Sequence, residues 1–155
     1  MIEGRCLCGA VRIAVARSDG EVSVCHCAMC RRWGGGIMAG FNAPPEAVTV
    51  TGEVGRYASS DFSERAFCPR CGSNLWMRDH GRDYELSPGL FDAAADFPLV
   101  REVYADRAHR FAAFSGDHPR ITRADREENP MPIVQADRLT RIGAALLKGD
   151  RKSVV

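Results

Sequence analysis

The sequence predicts a mainly β domain whose short strands are tied together by clustered cysteines. Short stretches rich in β-branched residues alternate with polar residues and are interrupted by turns that contain glycine or proline. Seven cysteines occur in the 155 residues, and all of them lie in three short clusters. A chain of this length is long enough to bury a core of its own, most simply as one domain.

The predicted strands follow one another from the amino terminus, each bounded by a turn signal. Alternation of Val11, Ile13 and Val15 with polar or small residues gives the first strand. Further strands are expected at residues 22–24, 37–41, 48–51, 75–77, 84–86 and 100–104. The run of three glycines at 34–36 indicates a loop that comes close to a backbone or a ligand or, equally, a flexible connector.

The pattern changes after Tyr104. Residues 105–130 are mostly polar or charged and are expected to form an excursion over the surface. From Asp137 onward, Leu139, Ile142 and Leu146 share one helical face. We expect this amphipathic helix to pack on its own domain; a contact within a homodimer is the alternative. The sequence therefore predicts a main domain over residues 1–125 and an extension with one helix over residues 126–155.

Composition and charge exclude several classes of function. Hydrophobic residues make up 45% and charged residues 26%, and the formal charge is +1. Such a near-neutral chain offers no electrostatic case for nucleic-acid binding. No apolar run approaches the roughly 20 residues that a membrane helix needs, and no export signal precedes the first cysteines. We therefore expect a cytoplasmic protein, where clustered cysteines bind metal more often than they form disulfides.

The cysteine spacing predicts two metal sites of different kinds. Cys68-Pro69-Arg70-Cys71-Gly72 is a strong metal-knuckle signal, because proline and glycine shape a turn that aims both sulfurs at one ion. Cys6 and Cys8 form the other complete pair and would finish a closed structural zinc site. Cys25, Cys27 and Cys30 then remain as an open zinc site. Spacing alone leaves the converse grouping open.

An open site with three thiolates suits soft ligands such as a substrate thiol, which the metal would ionise. His26 lies between two ligands, so its side chain is expected to point away from the metal. Arg31 is a candidate for attracting the carboxylate of a substrate; alternatively, it is a solvated surface residue. Trp33 is a candidate for lining a substrate pocket; alternatively, it packs in the core. His80, His109 and His118 are isolated in the sequence and are expected at the surface.

Three segments resemble the family of glutathione-dependent formaldehyde-activating enzymes and their centromere-protein-V-like relatives. They are Gly4-Arg5-Cys6-Leu7-Cys8-Gly9-Ala10-Val11, Cys25-His26-Cys27-Ala28-Met29-Cys30-Arg31-Arg32 and Arg65-Ala66-Phe67-Cys68-Pro69-Arg70-Cys71-Gly72-Ser73-Asn74-Leu75. The resemblance implies an Mss4-like fold of small antiparallel sheets with two zinc ions per chain. It also implies a closed site from Cys6, Cys8, Cys68 and Cys71, and a second zinc on Cys25, Cys27 and Cys30.

The resemblance further implies a carbon–sulfur lyase acting on a small thiol–aldehyde adduct, with glutathione as the candidate thiol. Two features depart from the family pattern. Glu102-Val103-Tyr104 stands where the family often carries a His-Ile-aromatic stretch, and the region after Tyr104 is longer and unlike the usual ending. The alternative function is a non-enzymatic zinc-binding module that binds a protein partner, for which both ions would be fully ligated by protein.

Overall fold

The computed structural model describes residues 1–128. Its strands are β1 Ile2–Arg5, β2 Arg12–Val15, β3 Val22–Cys25, β4 Met38–Ala43, β5 Val48–Thr51, β6 Gly55–Ala58, β7 Ser63–Phe67, β8 Asn74–Asp79, β9 Tyr84–Leu86, β10 Leu99–Val103 and β11 Arg120–Ile121. Its helices are α1 Ala28–Gly34 and α2 Arg123–Glu128. The mainly β fold of antiparallel sheets is confirmed, and the predicted helix after Asp137 lies outside the described residues.

A small sheet has the strand order β1-β2-β5, and both of its pairings are antiparallel. Alternation in β2 puts Ile13 and Val15 into the core and Arg12 on the outer face, as the sequence pattern predicts. The turn after β5 needs Gly52, which adopts a φ of +99°. A side chain there would clash with the carbonyl oxygen of Ala10.

The larger sheet has eight strands in the order β11-β10-β3-β4-β9-β8-β7-β6. Strands β6 to β9 form antiparallel pairs, and β8 and β9 contain the strands predicted at residues 75–77 and 84–86. Strand β10 differs from the expected pattern because it runs parallel to both β3 and β11. Two strands, β4 and β3, separate β9 from β10 in the sheet, so the long connection between β9 and β10 places Glu102 beside Val24 of β3.

The core lies between the two sheets. It is centred on Phe41, whose ring meets Phe91 and Phe97 edge-on at centroid distances of 5.1 and 5.3 Å. Leu75 and Trp76 of β8 are also fully buried there. These side chains come from both sheets and from the short 3-10 turns before β10, so one hydrophobic cluster packs the two sheets together.

The segment after Tyr104 is more ordered than the predicted surface excursion. It contains two 3-10 turns, strand β11 and helix α2. The predicted domain boundary between residues 125 and 126 falls inside α2 and stays a prediction. At the glycine run, a Cβ on Gly36 would lie 2.7 Å from the ring of Phe111, so the close neighbour is a side chain and not the backbone or ligand named in the prediction. Within residues 1–128, none of the helices has the length and apolar character needed to cross a lipid bilayer.

Candidate metal centre

The first cysteine group is built by two turns from different sheets. One turn joins β1 to β2 and carries Cys6 and Cys8; the other joins β7 to β8 and carries Cys68 and Cys71. In each turn a glycine follows the second cysteine with a φ near +74°. The four sulfurs all lie within 4.8 Å of one another. The structure thus brings together the two pairs that the sequence assigns to one site.

Hydrogen bonds hold this group in the geometry that a thiolate site needs. The amide of Val11 donates to the Cys6 sulfur at 3.2 Å, and the Ser73 hydroxyl lies 3.3 Å from the Cys71 sulfur. Ser73 also accepts from the amide of Leu7, which joins the two turns. Hydrogen bonds from Ser73 lower the pKa of Cys71 to about 5. These contacts favour the deprotonated form, which is the form that binds metal.

The sulfur spacing fits a tetrahedral zinc ion. Zinc–sulfur bonds of about 2.3 Å at tetrahedral angles place the sulfurs about 3.8 Å apart. The Cys6 and Cys8 sulfurs are separated by 3.6 Å, and those of Cys8 and Cys68 by 3.8 Å. The donor set and its geometry are therefore consistent with zinc at this group.

The second cysteine group lies at the connection between β3 and α1. Cys25 ends β3, Cys27 caps α1 in an extended conformation, and Cys30 lies one turn into the helix. The Cys30 amide donates to the Cys27 sulfur at 3.4 Å, and hydrogen bonds from the thiols of Cys25 and Cys30 hold the pKa of Cys27 well below its usual range. The three sulfurs lie within 4.8 Å of one another. Within residues 1–128, no fourth cysteine, histidine or carboxylate joins this group.

Helix α1 is not among the predicted elements, because its seven residues are too short to show a periodic apolar face. The cysteines themselves set its start, since the Cys27 side chain takes the role of the capping residue. Gly35 ends the helix in the left-handed conformation, where its amide donates to the carbonyl of Arg31. The glycine run was therefore a usable signal for the end of a helix.

The three-cysteine group forms part of the wall of a cavity of about 220 Å³. The cavity floor is one face of the large sheet, because strand pairing aligns Asn42, Glu85, Met77 and Arg65 in a single row across four strands. Ser59, Ser60 and Phe62 of the loop before β7, Tyr104, and Arg126 of α2 also line the cavity. The four-cysteine group contributes no residue to this cavity.

Several charged side chains surround the cavity. Arg65 is only 3% exposed, and its guanidinium donates to the sulfurs of Cys30 at 3.6 Å and Met38 at 3.2 Å. Arg101 and Arg126 are the other cations in the wall, and Glu85 and Asp79 are its carboxylates. Burial and the nearby Asp79 raise the pKa of Glu85 to about 7, against the opposing effect of the three arginines.

Tyr104 stands at the edge of this cavity in an uncommon backbone conformation. Its φ of +58° is the one positive value among the described non-glycine residues. Such a conformation costs about 1–3 kcal/mol and is found most often beside functional sites. Because Tyr104 follows β10 directly, the change of chain direction presents its ring to the cysteine cavity.

His26 is fully buried behind the three-cysteine group. As the sequence predicts, it does not join the sulfurs; its Nε2 donates to the carboxylate of Glu102 at 2.8 Å. The other oxygen of Glu102 accepts from Nε2 of His118 at 2.7 Å and meets Nε of Arg120 at 3.1 Å. The expectation of a surface position is therefore wrong for His118, whose side chain is 7% exposed. Sequence reasoning missed this contact because 16 residues separate the two partners.

The predicted substrate residues Arg31 and Trp33 do not line the cavity. Arg31 donates to the carbonyl of Arg107 at 3.0 Å on the outer side of α1. Trp33 packs edge-on against Phe67 at 6.0 Å, with the Arg65 guanidinium 5.8 Å from its ring centre. Each side chain is instead engaged by a contact outside the cavity, Arg31 by the carbonyl of Arg107 and Trp33 by the ring of Phe67. The cations of the cavity come instead from β7, β10 and α2.

The fold and its seven cysteines define a mainly β protein with two thiol centres suited to metal ions. The model of the family described as glutathione-dependent formaldehyde-activating enzyme matches residues 1–107. The chain belongs to this family.

Individual relatives agree with this assignment. An "uncharacterized lyase" of Schizosaccharomyces pombe is 39% identical over 107 residues, covering 67% of this chain and 78% of that protein. A Halomonas elongata protein, provisionally named as a glutathione-dependent formaldehyde-activating enzyme, is 33% identical over 111 residues, covering 65% and 69%. A crystal structure of a Rhodobacter sphaeroides protein superposes with a TM-score of 0.52 at 20% identity, covering 64% of this chain and all of that one. This last likeness concerns the fold alone.

Proposed function

We propose that this protein is a zinc-dependent carbon–sulfur lyase that acts on a small thiol–aldehyde adduct such as S-hydroxymethylglutathione. One observation carries the proposal: the three-cysteine group opens onto a cavity, whereas the other group has a complete set of four sulfurs. Structural zinc sites are closed by four protein ligands, and catalytic sites keep one position for substrate. The lyase name of one relative and the glutathione-linked name of another point to the same chemistry.

Zinc held by Cys25, Cys27 and Cys30 would bind the sulfur of the substrate and favour its thiolate form. The buried guanidinium of Arg65 lies beside Cys30 and offsets part of the negative charge that three thiolates bring into the cavity. No fully exposed group could do this as well, because water would screen its charge. We assign this role to Arg65 rather than to the outward-facing Arg31.

Glu85 is the candidate for proton transfer. Breakdown of the adduct breaks the carbon–sulfur bond, whose electron pair stays on sulfur, while the hydroxyl oxygen forms the carbonyl of the aldehyde. The hydroxyl proton must leave in the same step, and the Glu85 carboxylate on the cavity floor accepts it. A pKa of about 7 suits a group that takes up and returns a proton near neutral pH.

The cations of the cavity favour a thiol substrate that carries carboxylates. Arg101 and Arg126 come from β10 and α2 and line the cavity with Arg65. Charge-assisted hydrogen bonds to a carboxylate contribute about 1.5–3 kcal/mol each. Glutathione, with two carboxylates and one thiol, meets this description; a neutral thiol of similar size does not.

Metal content and turnover test the proposal together. We expect two zinc ions per chain, one of which a mild chelator removes together with the activity. Exchange between glutathione, formaldehyde and their adduct is followed by NMR line broadening. The variant Cys27→Ser should keep one zinc and its fold but lose turnover, because it changes the open group alone. Two zinc ions that both resist the chelator, with no exchange, would favour a non-enzymatic zinc-binding module instead.

The remaining expectations are not needed for this proposal. The Mss4-like designation, the centromere-protein-V relationship, a cytoplasmic location and a homodimer stay predictions. The division at residue 125 also stays a prediction. Helix α2 continues across this position and contributes Arg126 to the cavity.

A further inference from the structure

The segment beyond the family-matched residues reaches the back of the three-cysteine group. The family model ends at residue 107, whereas His118 and Arg120 lie after it. Both contact Glu102 of β10. A segment outside the family-matched residues therefore meets a residue inside them in one buried cluster.

This cluster connects directly to the loop that carries two of the cysteines. In an extended chain, successive side chains point to opposite sides. Cys25 and Cys27 therefore face the cavity while His26, between them, faces away toward Glu102 at 2.8 Å. The amide of His26 also donates to the carbonyl of Val103 at 2.9 Å. The side chain and the backbone of His26 are thus both anchored to β10.

Glu102 needs partners to occupy this place. Its side chain is 4% exposed, and an unpaired buried carboxylate would be strongly destabilising. His118 and His26 each donate to a different oxygen, and Arg120 adds a third, partly exposed contact. Without His118, one oxygen of Glu102 would keep only the solvent-facing Arg120, and the carboxylate would be free to turn away from His26.

We propose that His118 is a positioning residue for the three-cysteine site, which acts through Glu102 and His26 to hold the loop of Cys25 and Cys27. Groups of this kind orient metal ligands, and their loss commonly weakens metal binding 10- to 100-fold. The inference rests on metal binding by the three-cysteine group, which is part of the proposed function, but it does not depend on turnover.

Zinc release from the full chain tests the inference, with a chromogenic chelator that reports both ions. In His118→Leu we expect one zinc to be released at a chelator concentration about 10- to 100-fold lower than in the wild type. The second zinc, on the four-cysteine group, should be released as before. In His118→Gln, whose amide can donate from nearly the position of Nε2, most of the wild-type affinity should return.

His109→Leu is the matched control, since it makes the same change at an exposed histidine of the same segment that stacks on Phe111. Its zinc release should equal that of the wild type. Equal weakening of both zinc ions in His118→Leu would overturn the inference, because it would mean general destabilisation. Unchanged release in that variant would overturn it as well.

Should His118→Leu not fold, Glu102→Gln replaces it, with loss of charge but retention of shape. It should loosen the same single zinc, and unchanged release would again contradict the inference. A wild-type chain that binds one zinc would remove the basis of both this inference and the proposed function. Two zinc ions with the predicted release pattern but no turnover would support the positioning role and count against the lyase alone.

Discussion

Replacing Glu85 with glutamine should stabilise the protein increasingly as the pH rises. The pKa of Glu85 is raised from 4.5 to about 7 by burial on the cavity floor and by Asp79. Arg65, Arg101 and Arg126 face the same carboxyl and oppose this shift. A carboxyl with a higher pKa in the folded state binds its proton more tightly there. The stability that protonated Glu85 contributes is therefore fully present below its ordinary pKa of 4.5. It is lost as the pH rises from that value through the folded-state pKa of about 7.

The size of the effect follows from the pKa difference. A difference of about 2.5 pH units corresponds to about 3 kcal/mol of lost stability once the pH is well above 7. Glu85→Gln, which has no charge to bury, avoids this loss. Between about pH 5.5 and pH 8, the stability of the variant relative to the wild type should therefore rise by about 2 kcal/mol.

Urea unfolding at the two pH values, with zinc in excess, measures this change. Cysteine protonation alters zinc affinity with pH in both proteins, so the difference between variant and wild type isolates Glu85. Glu53→Gln, at an exposed loop position, controls for the removal of one surface charge. A relative stability that stays constant between the two pH values would refute the reasoning. It would also remove Glu85 as a group able to accept a proton near neutral pH.

Three further substitutions test the packing and the cavity. Gly52→Ala should lower the free energy of unfolding by about 3 kcal/mol or more in urea titrations, because φ is +99° and the new Cβ would meet the carbonyl of Ala10. A loss below about 1 kcal/mol would contradict the described turn. Phe41→Ala should cost about 3–5 kcal/mol in the same assay, since the ring is fully buried, and a small cost would mean that the core is wrongly placed. Arg65→Met should raise the KM for a carboxylate-bearing adduct about tenfold or more, because the cavity loses its buried cation beside Cys30. An unchanged KM would exclude Arg65 from substrate binding.

The parts of the structure that depend on local sequence were predictable. Alternating residues placed β2 correctly, and the Pro-Arg-Cys-Gly turn identified the knuckle between β7 and β8. Each of these two signals lies within a few residues of the feature that it predicts. The grouping of the cysteines was predictable only in part, because complete pairs at turns suggest a division into four and three while spacing alone leaves the converse grouping open.

The parts that depend on strand order were not predictable. Arg65 and Glu85 reach one cavity because β7, β8 and β9 are neighbours and pair in one register. Single-sequence patterns carry no information about such neighbours. The buried contact between Glu102 and His118 likewise requires β10 and β11 to pair in parallel. A histidine in a polar segment gives no local sign that it is buried.

The two cysteine groups differ in what a metal ion would do for the fold. At the four-cysteine group the ion would join Cys8 to Cys68, which are 60 residues apart and belong to turns of different sheets. Constraining a loop of that length removes entropy from the unfolded chain, so a metal ion at this group would stabilise the fold. At the three-cysteine group all ligands lie within residues 25–30, and the ion would close only a short loop. Metal there would add less to folding, and the geometry of the group would instead be held by protein contacts such as that of His26 with Glu102.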